Sequence, residues 1–319
     1  MVVGAAQMGP VERRHTSGEV SDRMVALLEK ASARGVELLV FPELASVPFF
    51  PHWIIEDREE LLSYYDLDTP FARVAPLFER AAQLGVAVVM GYAERTEGGR
   101  LFNSSVLADE HGEVALKYRK VHLPGFGEPQ HAEHQLLEKR YFEVGDLGFP
   151  VTDWKRTRLG LAICNDRRWA ETYRMLALAR AEIVCIGYNT PVKTPHLPEI
   201  DTLTEFHNHL SMQAGAYQNS LWVIGVGKGG VEEGVEQIGG SAIVAPSGEI
   251  VALASSRDDE LITADIDLDM VKKYRRDVFN FAHHRRPEHY GSITAPVDSS
   301  WSDDVRRVGT LPGVDDDGA

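Results

Sequence analysis

Short apolar runs alternate with amphipathic helical stretches along most of this chain, and the runs lack the strict polar–apolar alternation of a half-exposed strand. Residues 36–41 are apolar apart from Glu37, and residues 86–92 form a second such run. Continuous runs of this length read as strands covered on both faces. Residues 18–34 carry Val20, Met24, Leu27, Leu28 and Ala31 at helical spacing, with Gly35 as a natural stop; residues 71–84 form a second amphipathic helix, stopped by Gly85. The same reasoning predicts strands over 1–7, 159–163, 182–187, 221–226 and 261–266, and helices over 170–180, 201–219 and 268–279. The fold class is α/β.

Two hairpins add a second constraint. Residues 104–108 meet the turn Asp109-Glu110-His111-Gly112 and return along 113–120. Residues 242–245, Pro246-Ser247, Gly248-Glu249 and 250–253 resemble that unit. Read as an internal half-repeat, they predict two related sheets packed face to face with helices outside. No Gly/Ser-rich linker divides the chain, so one domain is expected over 1–290. A C-terminal extension, 291–319, follows, and its acidic end (Asp315, Asp316, Asp317) is expected to be mobile. Two long loops, 124–136 and 189–200, have the length that usually carries function.

Charge narrows the partners. The 319 residues carry a formal net charge of −15, so neither nucleic acid nor an anionic membrane is an expected partner. A small anionic substrate is compatible, because local arginines override the global field. Two cysteines, Cys164 and Cys185, fit a reducing compartment better than a disulfide framework. The opening residues lack a basic region ahead of a long apolar core, and no apolar run approaches the ~20 residues that span a bilayer. A cytoplasmic protein is expected. His207 and His209 are two apart and His283 and His284 are adjacent, but neither pair has HExxH-type or cysteine-supported spacing, so no metal site is expected.

The chemistry lies where apolar runs stop. Leu159-Gly160-Leu161-Ala162-Ile163 ends at Cys164, and Asn165-Asp166-Arg167-Arg168-Trp169 follows. A thiolate nucleophile needs nearby positive charge, which Arg167 and Arg168 offer, and the backbone N–H of Asn165 can hold an oxyanion. Cys185, inside the run Ile183-Val184-Cys185-Ile186, reads as core. Residues 36–41 lead through Pro42 to Glu43, a carboxylate at a forced turn beside aromatic residues, suited to a general base. Residues 114–118 lead through Arg119 to Lys120, an ammonium able to stabilise an oxyanion if it points inward. Strand alternation puts Tyr118 and Lys120 on one face, and Arg119 and Val121 on the other. An acid, an amine and a thiol at strand ends are the groups that covalent amide hydrolysis requires.

FPE at Glu43, YRKVHLP at Lys120 and ICND at Cys164 resemble the three signature segments of the nitrilase superfamily of carbon–nitrogen hydrolases, in the right order, across roughly residues 1–290. Within it, FPELASVPFFPHW, LEKRYFEVGDLGFPV, CNDRRW, GYNTP and LSMQAGAYQN are most similar to N-carbamoyl-D-amino acid amidohydrolases. The resemblance implies a four-layer αββα sandwich, assembly as homodimers or homotetramers, no metal or organic cofactor, and a second catalytic glutamate, Glu138. It implies attack by Cys164 on a ureido carbonyl, with Glu43 as base and Lys120 and the Asn165 N–H on the oxyanion. A substrate α-carboxylate suits Arg167 and Arg168, since bidentate guanidinium is the strongest side-chain partner for it. By resemblance, Asn189 and Thr190 lie near that carboxylate, and His122 and His207 line the pocket. One departure stands out: Leu136 occupies the place where similar D-carbamoylases carry histidine, with His134 two positions earlier. The alternatives are a β-ureidopropionase-like enzyme, an aliphatic amidase and a non-catalytic homologue that binds ligand.

Overall fold

Strand β1 (Val2–Gln7) is buried from end to end but for its first residue, and α1 (Ser17–Ala33) follows it. Thr16 caps α1, its hydroxyl accepting from the Glu19 N–H while the Glu19 carboxylate accepts from the Thr16 N–H. The computed structural model describes residues 1–297. After α1 come β2 (Leu38–Val40), α2 (Arg58–Ser63), β3 (Tyr65–Leu67), α3 (Ala75–Leu84), β4 (Ala87–Arg95), β5 (Leu101–Ala108) and β6 (Val114–Arg119). The short helix α4 (Glu138–Tyr141) leads to β7 (Val151–Trp154), β8 (Thr157–Ile163), α5 (Ala170–Leu178), β9 (Ile183–Tyr188), α6 (Thr204–Asn219) and β10 (Trp222–Gly227). Then follow β11 (Gly229–Glu232), β12 (Val235–Ile238), β13 (Ala242–Val244), β14 (Ile250–Leu253), β15 (Glu260–Asp265) and α7 (Leu268–Asp277).

These elements build two large sheets. The first runs β15-β1-β2-β4-β5-β6, with β3 also paired to β4; the second runs β14-β13-β10-β9-β8-β7. In the first, β1, β2 and β4 are parallel. In the second, β8, β9 and β10 are parallel. The sheets face each other, with β1 against β10, β5 against β8, and β2 and β4 against β9. Leu27, Leu28 and Ala31 of α1 and Leu77 and Ala81 of α3 pack with Leu39 and Val88 on the outer face of the first sheet. On the second, the Tyr173 ring of α5 lies against Gly215 of α6, and Met212 of α6 against Gly225 of β10. The result is the predicted four-layer αββα sandwich.

The helix predicted over 71–84 starts only at Ala75, because Pro76 lacks an N–H and its ring fits a helix only in the first turn. The helix predicted over 201–219 opens as a 3₁₀ turn, Pro198–Leu203, before α6. Strands β11 and β12 form a separate two-stranded ribbon where the sequence offered only a glycine-rich stretch. The compact unit spans Met1–Phe279, and the described residues from Asn280 on form a second unit. That unit contains α8 (Phe281–His284) and α9 (Gly291–Thr294). The acidic end expected to be mobile lies outside the described residues. Among those residues, no helix is long and apolar enough to cross a membrane.

Candidate active site

Pro42 turns the chain just beyond β2 and sets Glu43 between the two sheets, fully buried. Two glycines make room for it. A Cβ on Gly91 of β4 would stand 2.6 Å from Glu43 Cα, and one on Gly187 of β9 would stand 2.5 Å from Glu43 N. No side chain can occupy either place without moving Glu43. The loop beyond Glu43 is pinned from the start of the ribbon: Lys228 Nζ, just before β11, donates to the Val47 carbonyl at 2.7 Å, and the Glu232 carboxylate accepts from Phe49 N–H at 2.6 Å.

Lys120 follows β6 and prolongs its ladder by one bond, from its N–H to the Asn103 carbonyl at 2.8 Å. The alternation is resolved here: Tyr118 and Lys120 point inward and are buried, whereas Arg119 turns outward to the Glu94 carboxylate at 2.6 Å. The Lys120 ammonium donates to Glu43 Oε1 at 2.8 Å and to Glu138 Oε2 at 2.5 Å. Glu138, the first residue of α4, is fully buried. The two carboxylates also share an amide that sequence reasoning missed. Asn103 Nδ2 donates to Glu43 Oε1 at 2.7 Å and lies 3.4 Å from Glu138 Oε2.

Cys164 follows β8 with φ near +47°, a left-handed conformation that costs a non-glycine residue about 1–3 kcal/mol and recurs where a reactive group must be held at a sharp turn. Its Sγ donates to the Asn189 carbonyl at 3.2 Å. Ligand atoms of Glu43, Glu138 and Cys164 all lie within 4.8 Å of one another. Such a donor set could suit a metal ion, but the Lys120 ammonium already bonds both carboxylates, so the cluster carries its own cation. The Asn165 N–H lies in the first turn of the segment Cys164–Arg168, where backbone donors have no partner within the helix.

The electrostatics set burial against the nearby cations. Burial, reinforced by the Glu43 carboxylate, pushes the Cys164 pKa up, against the pull of Lys120 and Arg167. The thiol is thus harder to ionise than a free cysteine, and a nearby base assists its attack. Burial alone would lower the pKa of Lys120, but Cys164, Glu138 and Glu43 together hold it above its ordinary value. Burial, then the nearby Glu43, raises Glu138 to about 7, with Lys120 opposing.

The other sequence candidates divide between two tasks. Asn189 holds the base: its N–H donates to Glu43 Oε2 and its Nδ2 to the Glu43 carbonyl, each at 2.8 Å. Arg167, 1 % exposed, donates from Nη1 to the Cys164 carbonyl at 2.7 Å, from Nε to Asn208 Oδ1 at 2.8 Å and from Nη2 to Thr190 Oγ1 at 2.7 Å. Its guanidinium stacks on Tyr188. Arg167 and Thr190 thus form a brace behind the nucleophile. Asp166 ties the cysteine turn to the lysine strand, accepting from Tyr118 Oη at 2.8 Å and His122 N–H at 3.0 Å, with His122 Nδ1 2.8 Å away. Asn165 Nδ2 donates to the His122 carbonyl at 3.1 Å, and the His122 ring stacks on Trp169.

Arg168 differs from its neighbour. It reaches solvent, and no hydrogen bond or ion pair engages it among the described residues. It borders a cleft of about 310 Å³ with His207, Ile200, Thr204 and Leu210. Close packing around the guanidinium, with Arg167 beside it, lowers its pKa to about 10, so it stays charged at neutral pH. The two long loops meet, through an edge contact of Phe126 with His196 at 5.5 Å and a Lys193–Glu133 ion pair at 3.5 Å. His134 stands at that junction against His52, while the Leu136 carbonyl closes its own loop by accepting from Phe126 N–H at 2.8 Å. Asn103 had one sequence signal, an amide inside the apolar strand LFNSSVLA; Asp166 and Asn208 had none strong enough to single out.

Residues 2–276 match the Carbon-nitrogen hydrolase family. An (R)-stereoselective amidase from Pseudomonas sp is 33% identical over 257 residues, 80% of this chain and 81% of that protein. An N-carbamoylputrescine amidase from Arabidopsis thaliana is 30% identical over 300 residues, 91% of this chain and 94% of that protein. The crystal structure of a carbon-nitrogen hydrolase from Helicobacter pylori G27 superposes with a TM-score of 0.80 at 25% identity, covering 93% of this chain and 98% of that one. With a buried acid, amine and thiol gathered between two sheets, and with these relatives, the chain belongs to the carbon–nitrogen hydrolase family, within the nitrilase superfamily.

Proposed function

We propose that this enzyme hydrolyses the carbamoyl C–N bond of N-carbamoyl-D-amino acids, releasing the D-amino acid, carbon dioxide and ammonia. Glu43 takes the proton of Cys164 as sulfur attacks the ureido carbonyl carbon. Lys120 and the Asn165 N–H hold the resulting oxyanion. Glu43 returns the proton to the departing nitrogen, the C–N bond breaks and ammonia leaves. Water, deprotonated by Glu43, then attacks the thiocarbamate left on sulfur, releases the thiol and gives the N-carboxy amino acid, a carbamate whose remaining C–N bond breaks to yield the D-amino acid and carbon dioxide. Glu138 orients Lys120. Proton transfer and oxyanion stabilisation each supply about 10²–10³-fold or more.

The observation that carries the substrate class is Arg168, a charged guanidinium with no hydrogen-bond or ion-pair partner among the described residues, at the rim of a cleft beside the nucleophile turn. A carboxylate is its natural complement, and the cationic substrate of a carbamoylputrescine amidase is not. Arg167 and Thr190 act behind it, and His122 and His207 border the substrate. Leu136, in place of the histidine of similar D-carbamoylases, favours a second reading, a β-ureidopropionase-like or aliphatic amidase with the same four catalytic groups. A panel of carbamoyl-D-, carbamoyl-L- and β-amino acids with simple amides separates the two. Mass spectrometry after brief exposure to N-carbamoyl-D-phenylalanine tests the chemistry: an adduct of the substrate minus ammonia on the Cys164 peptide supports the proposal, and turnover with no adduct overturns the covalent route.

Assembly as a homodimer or homotetramer belongs to the same proposal. Met175 and Leu178 of α5 and Phe206, Leu210 and Tyr217 of α6 are all exposed, an apolar surface that a second copy would cover. A reducing, cytoplasmic setting suits the two free thiols.

A further inference from the structure

We propose that Asn103 is a positioning residue of this site, a neutral counterpart of Lys120 that keeps Glu43 and Glu138 in register while the ammonium serves the oxyanion. The proposal rests on the reading of Glu43 as base and Lys120 as oxyanion partner. Its basis is a shared pair of acceptors. Lys120 Nζ bonds Glu43 Oε1 at 2.8 Å and Glu138 Oε2 at 2.5 Å, and Asn103 Nδ2 faces the same two atoms at 2.7 and 3.4 Å. The two donors also share a backbone link, from Lys120 N–H to the Asn103 carbonyl at 2.8 Å. Asn103 is fully buried on β5, so no water replaces it.

Two carboxylates this close repel each other, and one ammonium balances one of them. When Lys120 turns part of its hydrogen-bonding to a developing oxyanion, its hold on Glu43 weakens at the moment Glu43 must be in place. An amide N–H₂ adds two partial positive charges without a net charge, so it holds the carboxylates without competing for the oxyanion as a second lysine would. The amide orientation follows from the same charges. With its oxygen turned inward, Asn103 would face two carboxylate oxygens; as it stands, Oδ1 is the atom left without a partner among the described residues.

The test uses the full-length protein carrying Asn103→Ala or the nearly isosteric Asn103→Asp. One readout is kcat and KM across pH, and a second, independent of substrate identity, is the rate of Cys164 alkylation by iodoacetamide across pH. The charged groups facing the amide and the thiol are Glu43, Lys120, Glu138, Cys164 and Arg167. Asn103→Ala is expected to lower kcat about 10–100-fold with KM within about two-fold. Asn103→Asp adds a third carboxylate and is expected to move the acid limb of both profiles to higher pH. If either folded variant keeps the wild-type kcat and both pH profiles, with only a lower melting temperature, Asn103 is structural and the proposal fails. Should Asn103→Ala not fold, the Asn103→Asp profiles alone decide. A failure of the underlying mechanism looks different, because Cys164→Ala or Glu43→Gln would then retain activity whatever Asn103 does.

Discussion

The two halves of the sandwich share one strand plan and carry different chemistry. In the first, three parallel strands (β1, β2, β4) are flanked by antiparallel β15 and the hairpin β5–β6; in the second, β8, β9 and β10 are flanked by β7 and the hairpin β13–β14. Corresponding strand ends have diverged. Beyond β8 stands Cys164, and beyond β1 the core residue Met8. Beyond β6 stands Lys120, whereas Ala254 follows β14 and only extends the ladder to Ser241. Beyond β2 lies Glu43 and beyond β9 lies Asn189, and these two meet across the interface. The scaffold supplies buried, well-defined strand ends in duplicate. Each reactive group comes from one half alone, and the reaction requires both.

Substitutions can break this division of labour, and the largest effect belongs to the nucleophile. Cys164→Ala should lower kcat by at least ~10⁴-fold and abolish the covalent adduct. Cys185→Ala, in the core of β9, should leave both unchanged, read by ammonia release and mass spectrometry. Next comes the seam between halves. Gly187→Ala forces Glu43 away from its seat, so kcat should fall about 10²-fold, with about 1–3 kcal/mol of stability lost in urea unfolding. A third comparison sets the rim against the brace. Arg168→Ala should raise KM for carbamoyl-D-amino acids about 10-fold or more and leave neutral amides and stability nearly untouched. Arg167→Ala should instead destabilise the fold, because it strands the buried acceptors on Cys164, Asn208 and Thr190. An equal KM effect on neutral amides would remove Arg168 from carboxylate recognition.

The smallest effect concerns pH. Glu138 is raised from 4.5 to about 7, so the folded state binds its proton more tightly than the unfolded chain. That contribution to stability is complete below about pH 4.5 and is lost as pH rises through about 7. Glu138→Gln cannot lose it, so the melting temperature of the variant relative to wild type should improve between pH 5 and pH 8. A constant difference across that range would show that Glu138 is not the titrating group.

Much of this was legible in the chain because its signals are local. An apolar run that stops at proline and glutamate, or at a cysteine with two arginines close behind, needs no distant partner to be noticed. The half-repeat was visible in two short hairpins, and it corresponds to the matching flanks of the two sheets. What escaped was whatever depends on a partner far along the chain. Asn103 reads as an odd amide in a strand until Glu43, 60 residues earlier, closes on it. Arg167 and Arg168 are adjacent and chemically identical, and only packing makes one a buried brace and the other an open cation. The ribbon β11–β12 had no clear pattern because its Glu232, and Lys228 just before it, are buried against backbone groups of other segments.

The sequence by itself determined the layered α/β plan and the residue types of the chemistry, because periodicity and strand-end punctuation act over a few residues. Tertiary structure alone decided which face of β6 turns inward, that burial works against the thiolate, and which arginine has no partner among the described residues. Those outcomes depend on burial and on charges brought together across the sheet interface, where loss of water and a neighbouring carboxylate outweigh anything the adjacent residues dictate.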